Sequence, residues 1–239
     1  MKIAYFRFYR EWSENWNTFC YICKYNKQLR TGHMLFAELS YQIFEKATAC
    51  YHVTDNTEVE AENPYEYGSI EYYLFQKNWI DAVQWHLEDI VRDPDIEPGY
   101  ALQIKRRIDE SNQWRTDVVE LIDDYFWDRF KEVKILPHAT INTESPAWAL
   151  DRLSILCLKI YHMEQEVRRV NVTQEHVRKC EMKLYVLLEQ KHDLIVAINQ
   201  FLEDIEAGRK YMRVYKQMKM YNDPNLNPVL YRKEKLGCQ

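Results

Sequence analysis

The chain has 239 residues, 46% of them hydrophobic, which is ample for the buried core of one large domain and excludes a disordered protein. Five glycines and seven prolines are few for this length, which excludes turn-rich β architectures and points to an all-α, multi-helix bundle with long antiparallel helices. A formal charge of -5 excludes a general nucleic-acid binder, which needs a basic face to displace counterions.

Residues 1–33 are aromatic, cysteine-bearing and weakly periodic, and read as an extension whose start could be mis-assigned, with Met34 as the alternative start. Lys2, Arg7, Arg10 and Glu11 interrupt any signal-peptide core there, and no run approaches the roughly 18 apolar residues of a membrane span. A cytoplasmic location and no membrane span are therefore expected, with reduced cysteines. Cys20 and Cys23 form an isolated C-x-x-C without the second pair that a zinc site needs.

From Met34 the order is helical, and residues 34–232 read as one helical-bundle domain followed by a tail, 233–239. Leu35, Leu39, Ile43, Phe44 and Ala47 keep the spacing of a helix face. Asp55 to Gly68 is a polar connecting loop, and Ser69 caps a helix from Ile70 to Val91 that stops before Asp93-Pro94. After Pro98-Gly99 a helix runs from Tyr100 to about Phe130. Residues 137–145 form a loop, and Ser145-Pro146, a capping serine before a proline at the first helical position, opens a helix to about Val170. Thr173 caps the last long helix. Its seam of Val177, Leu184, Ile198 and Ile205, with Lys191 intruding, fits packing within the chain or a homodimer. Gly208 bends or ends that helix, and 209–221 is a basic, methionine- and tyrosine-bearing amphipathic stretch.

The functional signal is polar residues on faces where leucine is due. His86 completes the line Trp79, Val83, Ile90, with Asp89 about one turn away as its orienting carboxylate. Arg115 continues the inward line Ala101, Ile108, Ile122, where an isolated guanidinium would cost several kcal/mol, so it must meet a carboxylate, an anion or water. Asn112 precedes it by a turn, and Lys105 and Asp109 lie further back. Asp151 and His162 share a face of the helix after Pro146, with Arg152 and Lys159 beside them, and Asn142, Thr143 and Glu144 feed that helix at an end suited to an anion. Glu120, Asp123 and Asp124 read as solvated surface. No metal and no cofactor are expected: His86, Asp89, Glu144, Asp151 and His162 have the right atoms, but no Glu-x-x-His pair stands on these helices.

Several long motifs carry a resemblance. Asn78-Trp79-Ile80-Asp81 with Gln84 to Asp89, Lys105 to Asp109 with Asn112-Gln113 and Arg115-Thr116-Asp117, and Ile141 to Pro146 with Asp151 to Ile155 and Leu158 to His162 resemble the bacterial domain-of-unknown-function family 4254 over about Met34 to Tyr231. That resemblance implies an all-helical cytoplasmic protein, often encoded near envelope-polysaccharide glycosyltransferases, and carries no established activity. Leu102 to Phe126 is also similar in rhythm to the first helix of all-α chorismate mutases, an analogy for a dianion held among basic residues.

Two readings follow. In one, a polar cavity binds a small anionic metabolite, such as a phosphosugar or sugar nucleotide, with or without transforming it. Lys105, Arg115, Arg152 and Lys159 hold it beside Asp109, Asn112, Asn142, Thr143 and Glu144, with the pairs His86 and Asp89 or Asp151 and His162 as acid and base. In the other, the polar cluster fixes helix register and the protein is an adaptor for a glycosyltransferase-type protein partner.

Overall fold

Ser69, Glu97, Ser145 and Thr173 frame the bundle, each holding an extended backbone while its side chain accepts from amides of the following turn. Ser69 Oγ takes the Tyr72 N–H at 3.1 Å, and the Glu97 carboxylate takes those of Gly99 and Tyr100 at 2.8 and 2.7 Å. They open α2 (Ile70–Ile90), α3 (Pro98–Phe130), α4 (Pro146–Arg168) and α5 (Gln174–Glu206), with α1 (Phe36–Thr54) before them. The third helix thus begins at Pro98, two residues earlier than its periodicity suggests, because Glu97 acts as the cap.

The computed structural model describes residues 35–221 and 223–230. The chain from Phe36 forms one unit. Expectations for residues 1–33, including Cys20 and Cys23 and the start at Met34, and for the tail at 233–239 fall outside the described residues. Cys50, Cys157 and Cys180 are free thiols.

The protein is mostly helical, as a multi-helix bundle. α1 packs on α2 and α4, α3 on α2 and α4, and α5 chiefly on α4 through the short link after Arg168. Phe44, Tyr51, Phe75, Phe126, Leu150 and Leu153 are among the core side chains. On α5, Ile198, Phe201 and Ile205 are buried within the chain, whereas Met182 and Val186 remain exposed. The intruding Lys191 lies 3.7 Å over the Tyr41 ring and 3.6 Å from Glu45, which accounts for a cation on that seam. Among the described residues no helix is long and apolar enough to cross a membrane.

One departure from a purely helical pattern shapes the site. The loop before α4 contains β1 (Thr140–Ile141), which pairs in parallel with β2 (Lys210–Tyr211). Gly208 makes this return possible. It sits at φ +70°, its N–H donates to Ile205 O, and a Cβ there would lie 2.3 Å from the Lys134 carbonyl oxygen. Leu136 N–H then donates to Gly208 O and Thr140 N–H to Arg209 O, so residues 209–217 run beside the start of α4 rather than extending α5.

Candidate functional site

Three polar stations lie along α4. The first is a quartet of ionisable groups, three of them buried and the fourth, Arg115, half-buried. Arg115 grips Asp151 with two parallel bonds, Nε to Oδ1 at 2.9 Å and Nη2 to Oδ2 at 2.6 Å, and its Nε stands 3.4 Å from Asp81 Oδ1. Lys77, 1% exposed, donates to Asp81 one turn along α2 and lies 2.9 Å from Asp151 Oδ1. Ser154 Oγ donates to Asp81 at 2.6 Å and accepts from Asn78 Nδ2 at 3.0 Å, and Asn78 Oδ1 accepts from Thr48 Oγ1 at 2.8 Å. Burial pushes the Asp151 carboxyl up, but Lys77 and Arg115 together hold it below the usual range. Burial raises Asp81 against the pull of Lys77. Two cations facing two carboxylates complete this cluster from within the protein.

The second station is at the end of the bundle where α1 and α4 finish. His86 and His162 meet there, joined by His52 of α1, with ligand-capable ring nitrogens all within 4.8 Å of one another. His52 Nδ1 is 2.7 Å from the Thr48 carbonyl oxygen, and its Nε2 is 3.4 Å from His86 Nε2. His86 Nε2 is also 3.4 Å from Asp55 Oδ1. Each ring has an aromatic neighbour: Tyr161 for His52, Tyr51 for His86, and Trp85, stacked at 4.6 Å, for His162. Burial, with the adjacent imidazoles, brings His162 down to about 4 and lowers His52, so both are neutral at neutral pH. Among the described residues these three histidines form one of two groups that could hold a metal, the other being Glu166, His176 and Cys180. Beside Trp85 a cleft of about 300 Å³ reaches the quartet, but its wall carries Asp81, Glu88 and Asp89 against Arg92 and Arg115, which is no setting for an anion.

The third station is a cleft of about 390 Å³ at the start of α4, with Asn142, Thr143, Glu144 and Trp148 on one side and Tyr211, Arg213 and Lys216 on the other. Asp123 of α3 lines it, only 2% exposed. Its Oδ2 accepts from Ser145 Oγ at 2.8 Å, while its Oδ1 is buried without a hydrogen-bond partner among the described residues. Burial raises its pKa from 3.8 to about 6, against the Ser145 bond, which favours the charged form. Glu144 is paired with Arg152 at 3.1 Å. Arg213 has no carboxylate partner among the described residues, and Lys216 reaches only Glu120, at 3.8 Å.

This arrangement revises several expectations. His86 faces His52 and Asp55, and Asp89 is exposed on the rim of the smaller cleft. Asp151 is turned to Lys77 and Arg115, so His162 has no carboxylate from it. The four expected anion holders do not converge: Lys105 pairs with Asp109 on the surface, Arg152 with Glu144, Lys159 is exposed, and Arg115 is held by carboxylates. Asn112 accepts from Gln84 at 3.0 Å. Asp123 is buried, not solvated. The metal-ligand set considered from the sequence is dispersed, and only His86 and His162 of it come together. The Trp148 amide at the start of α4 is occupied by Ser145, and positive charge in that corner comes from Arg213 and Lys216.

Two outcomes follow from these environments. Replacing Arg115 by leucine leaves Asp151 short of a cation and should cost about 2–4 kcal/mol in urea denaturation, whereas Arg115→Leu with Asp151→Leu, which keeps the charges balanced, should cost less than the sum of the two single changes. Strict additivity would show that the pair is not coupled. For Asp123, the raised folded pKa means that the native state binds its proton more tightly than the unfolded chain. Its stability contribution is therefore full below pH 3.8 and is lost as pH rises through about 6. Asp123→Asn should gain stability over the parent as pH goes from 3 to 8, by up to about 3 kcal/mol with about half of the gain above pH 5, and a gap that does not change with pH would contradict the burial argument.

No curated protein and no solved structure matches the chain. A family model described as a protein of unknown function, DUF4254, matches residues 71–214, which carry α2 to α5 and the turn into β2. With more than half of its length matched, in the segment that holds the quartet, Asp123 and Arg213, the chain belongs to the DUF4254 family.

Proposed function

We propose that the protein binds a small anionic metabolite of the phosphosugar or sugar-nucleotide class in the cleft at the start of α4, with Asp123 as the acid/base group of any transformation. The observation that carries this reading is the buried Asp123 Oδ1 without a partner on the wall of a cleft. A buried carboxylate oxygen is costly until a donor reaches it, and a sugar hydroxyl is such a donor. Across the cleft, Arg213 and Lys216 supply the charge for a phosphate, and the Trp148 and Tyr211 rings suit a sugar face or a base. A ligand with both hydroxyls and phosphate answers both walls. A carboxyl titrating near 6 also exchanges its proton readily near neutrality.

Two features favour the second reading, an adaptor for a glycosyltransferase-type partner: the quartet is complete without a ligand, and the segment after β2 exposes Tyr215, Met218 and Tyr221 to 62–88%. Calorimetric titration with a panel of sugar phosphates and nucleotide sugars separates the two. Micromolar binding that weakens at least about tenfold in Arg213→Ala, with the unphosphorylated sugar insensitive to that change, is the expected result. No binding across the panel, together with co-purification of a glycosyltransferase through residues 209–221, would favour the adaptor.

A further inference from the structure

At the far end of α4, about 25 Å from Ser145 by helix rise, the three histidines are arranged in a way that neither the cleft nor the core requires. Helical spacing alone accounts for part of the arrangement. Thr48, His52 and Asp55 follow one another at i, i+4 and i+7 from α1 into the loop beyond it, and Asp55 takes φ 49° just past the helix end. That turn leaves the carboxylate 3.4 Å from His86 Nε2.

The proton positions are constrained. The Thr48 carbonyl oxygen can only accept, so His52 Nδ1 carries the hydrogen and its Nε2 presents a lone pair. A backbone bond to the far nitrogen is also how metal-ligating imidazoles are oriented. His162 Nε2 is buried and has no hydrogen-bond partner among the described residues. A packed core would leave such a nitrogen only at a cost, and the tyrosine and tryptophan rings around the cluster restrict how it can turn away.

The geometry points to a binding site for a divalent first-row transition ion of the zinc class, held by His52, His86 and His162 with Asp55 as the carboxylate ligand at its mouth. Metal–nitrogen bonds of about 2.0–2.1 Å in a tetrahedron place ligand atoms about 3.3 Å apart. His52 Nε2 to His86 Nε2 and His86 Nε2 to Asp55 Oδ1 are both 3.4 Å, two edges of that figure. The third histidine is within 4.8 Å of the other two and completes the imidazole set, which Asp55 meets through His86. Imidazoles with one carboxylate suit zinc, iron or cobalt better than calcium or magnesium, which prefer all-oxygen shells. The Asp55 side chain is 59% exposed, so water can reach the ion and exchange at the carboxylate position. This site is independent of the metabolite reading, since its residues do not line the cleft at Asp123.

The test is cobalt titration of the full chain after treatment with a chelator, followed by visible absorption. Stoichiometric uptake with the intense d–d bands of four-coordinate cobalt, erased by an equivalent of zinc, is expected. His52→Ala and His162→Ala should each lose about a hundredfold or more in affinity. Asp55→Asn, at an exposed position that the fold tolerates, should bind about tenfold more weakly and so tests the site even if a histidine variant fails to fold. A thiolate-to-cobalt charge-transfer band in the near ultraviolet would put the ion on cysteines, and uptake unchanged in Asp55→Asn and His162→Ala would put it elsewhere. Either result, or no uptake, overturns the assignment.

Discussion

The interior of this bundle depends on a charge balance. Lys77, Asp81, Arg115 and Asp151 come from three helices, and Ser154, Asn78 and Thr48 extend their bonds to a fourth. Desolvating any one of these charges alone would cost several kcal/mol, so each element must present its member at the same depth. Sliding one helix by a turn would strand a charge. The quartet thus ties three helices together at one level of the bundle.

That shared level places the other two stations. Moving along α4 from the quartet, one direction leads to Ser145, where Asp123 of the antiparallel α3 enters the cleft, and the other to His162. On α2, His86 follows Asp81 by little more than a turn, and on α1, His52 follows Thr48 by one turn. The cleft at Asp123 and the imidazole cluster, about 25 Å apart, are thus joined through one network. The separation means that an ion at the histidines would not act on a molecule held at Asp123. It would have a structural part or chemistry of its own.

Much of this was legible in the sequence, and the rest fails for a common reason. Helix starts at Ser69, Ser145 and Thr173 are local signals, readable because a cap and its amide lie within three residues. Arg115 stands out as a cation on an apolar face, but its partner is 36 residues away on another helix, and the obvious candidates for anion binding nearby are surface pairs. Lys77 and Asp81 were within reach. With Leu74 and Asn78 they keep i, i+3, i+4 and i+7 spacing, and all four are buried. His52 follows the buried Thr48 in the same way, and Asp123 falls on the line Val119, Phe126, Phe130, which marked it as inward-facing. The cleft itself was not readable, because it needs Gly208 to return the chain beside β1, a contact between residues 70 positions apart.

The most direct measurement is an amide-resolved NMR titration of the protein with a sugar phosphate, in which the responding residues identify the site without any mutation. The expected perturbations are confined to Asn142 to Trp148 and Lys210 to Gln217 and to the Asp123 amide, while Arg115, Asp81 and the histidine cluster stay unmoved. Perturbations centred instead on Arg115, Trp85 and Asp89, with the start of α4 silent, would contradict this account, because they would show that the quartet receives the ligand rather than holding the helices.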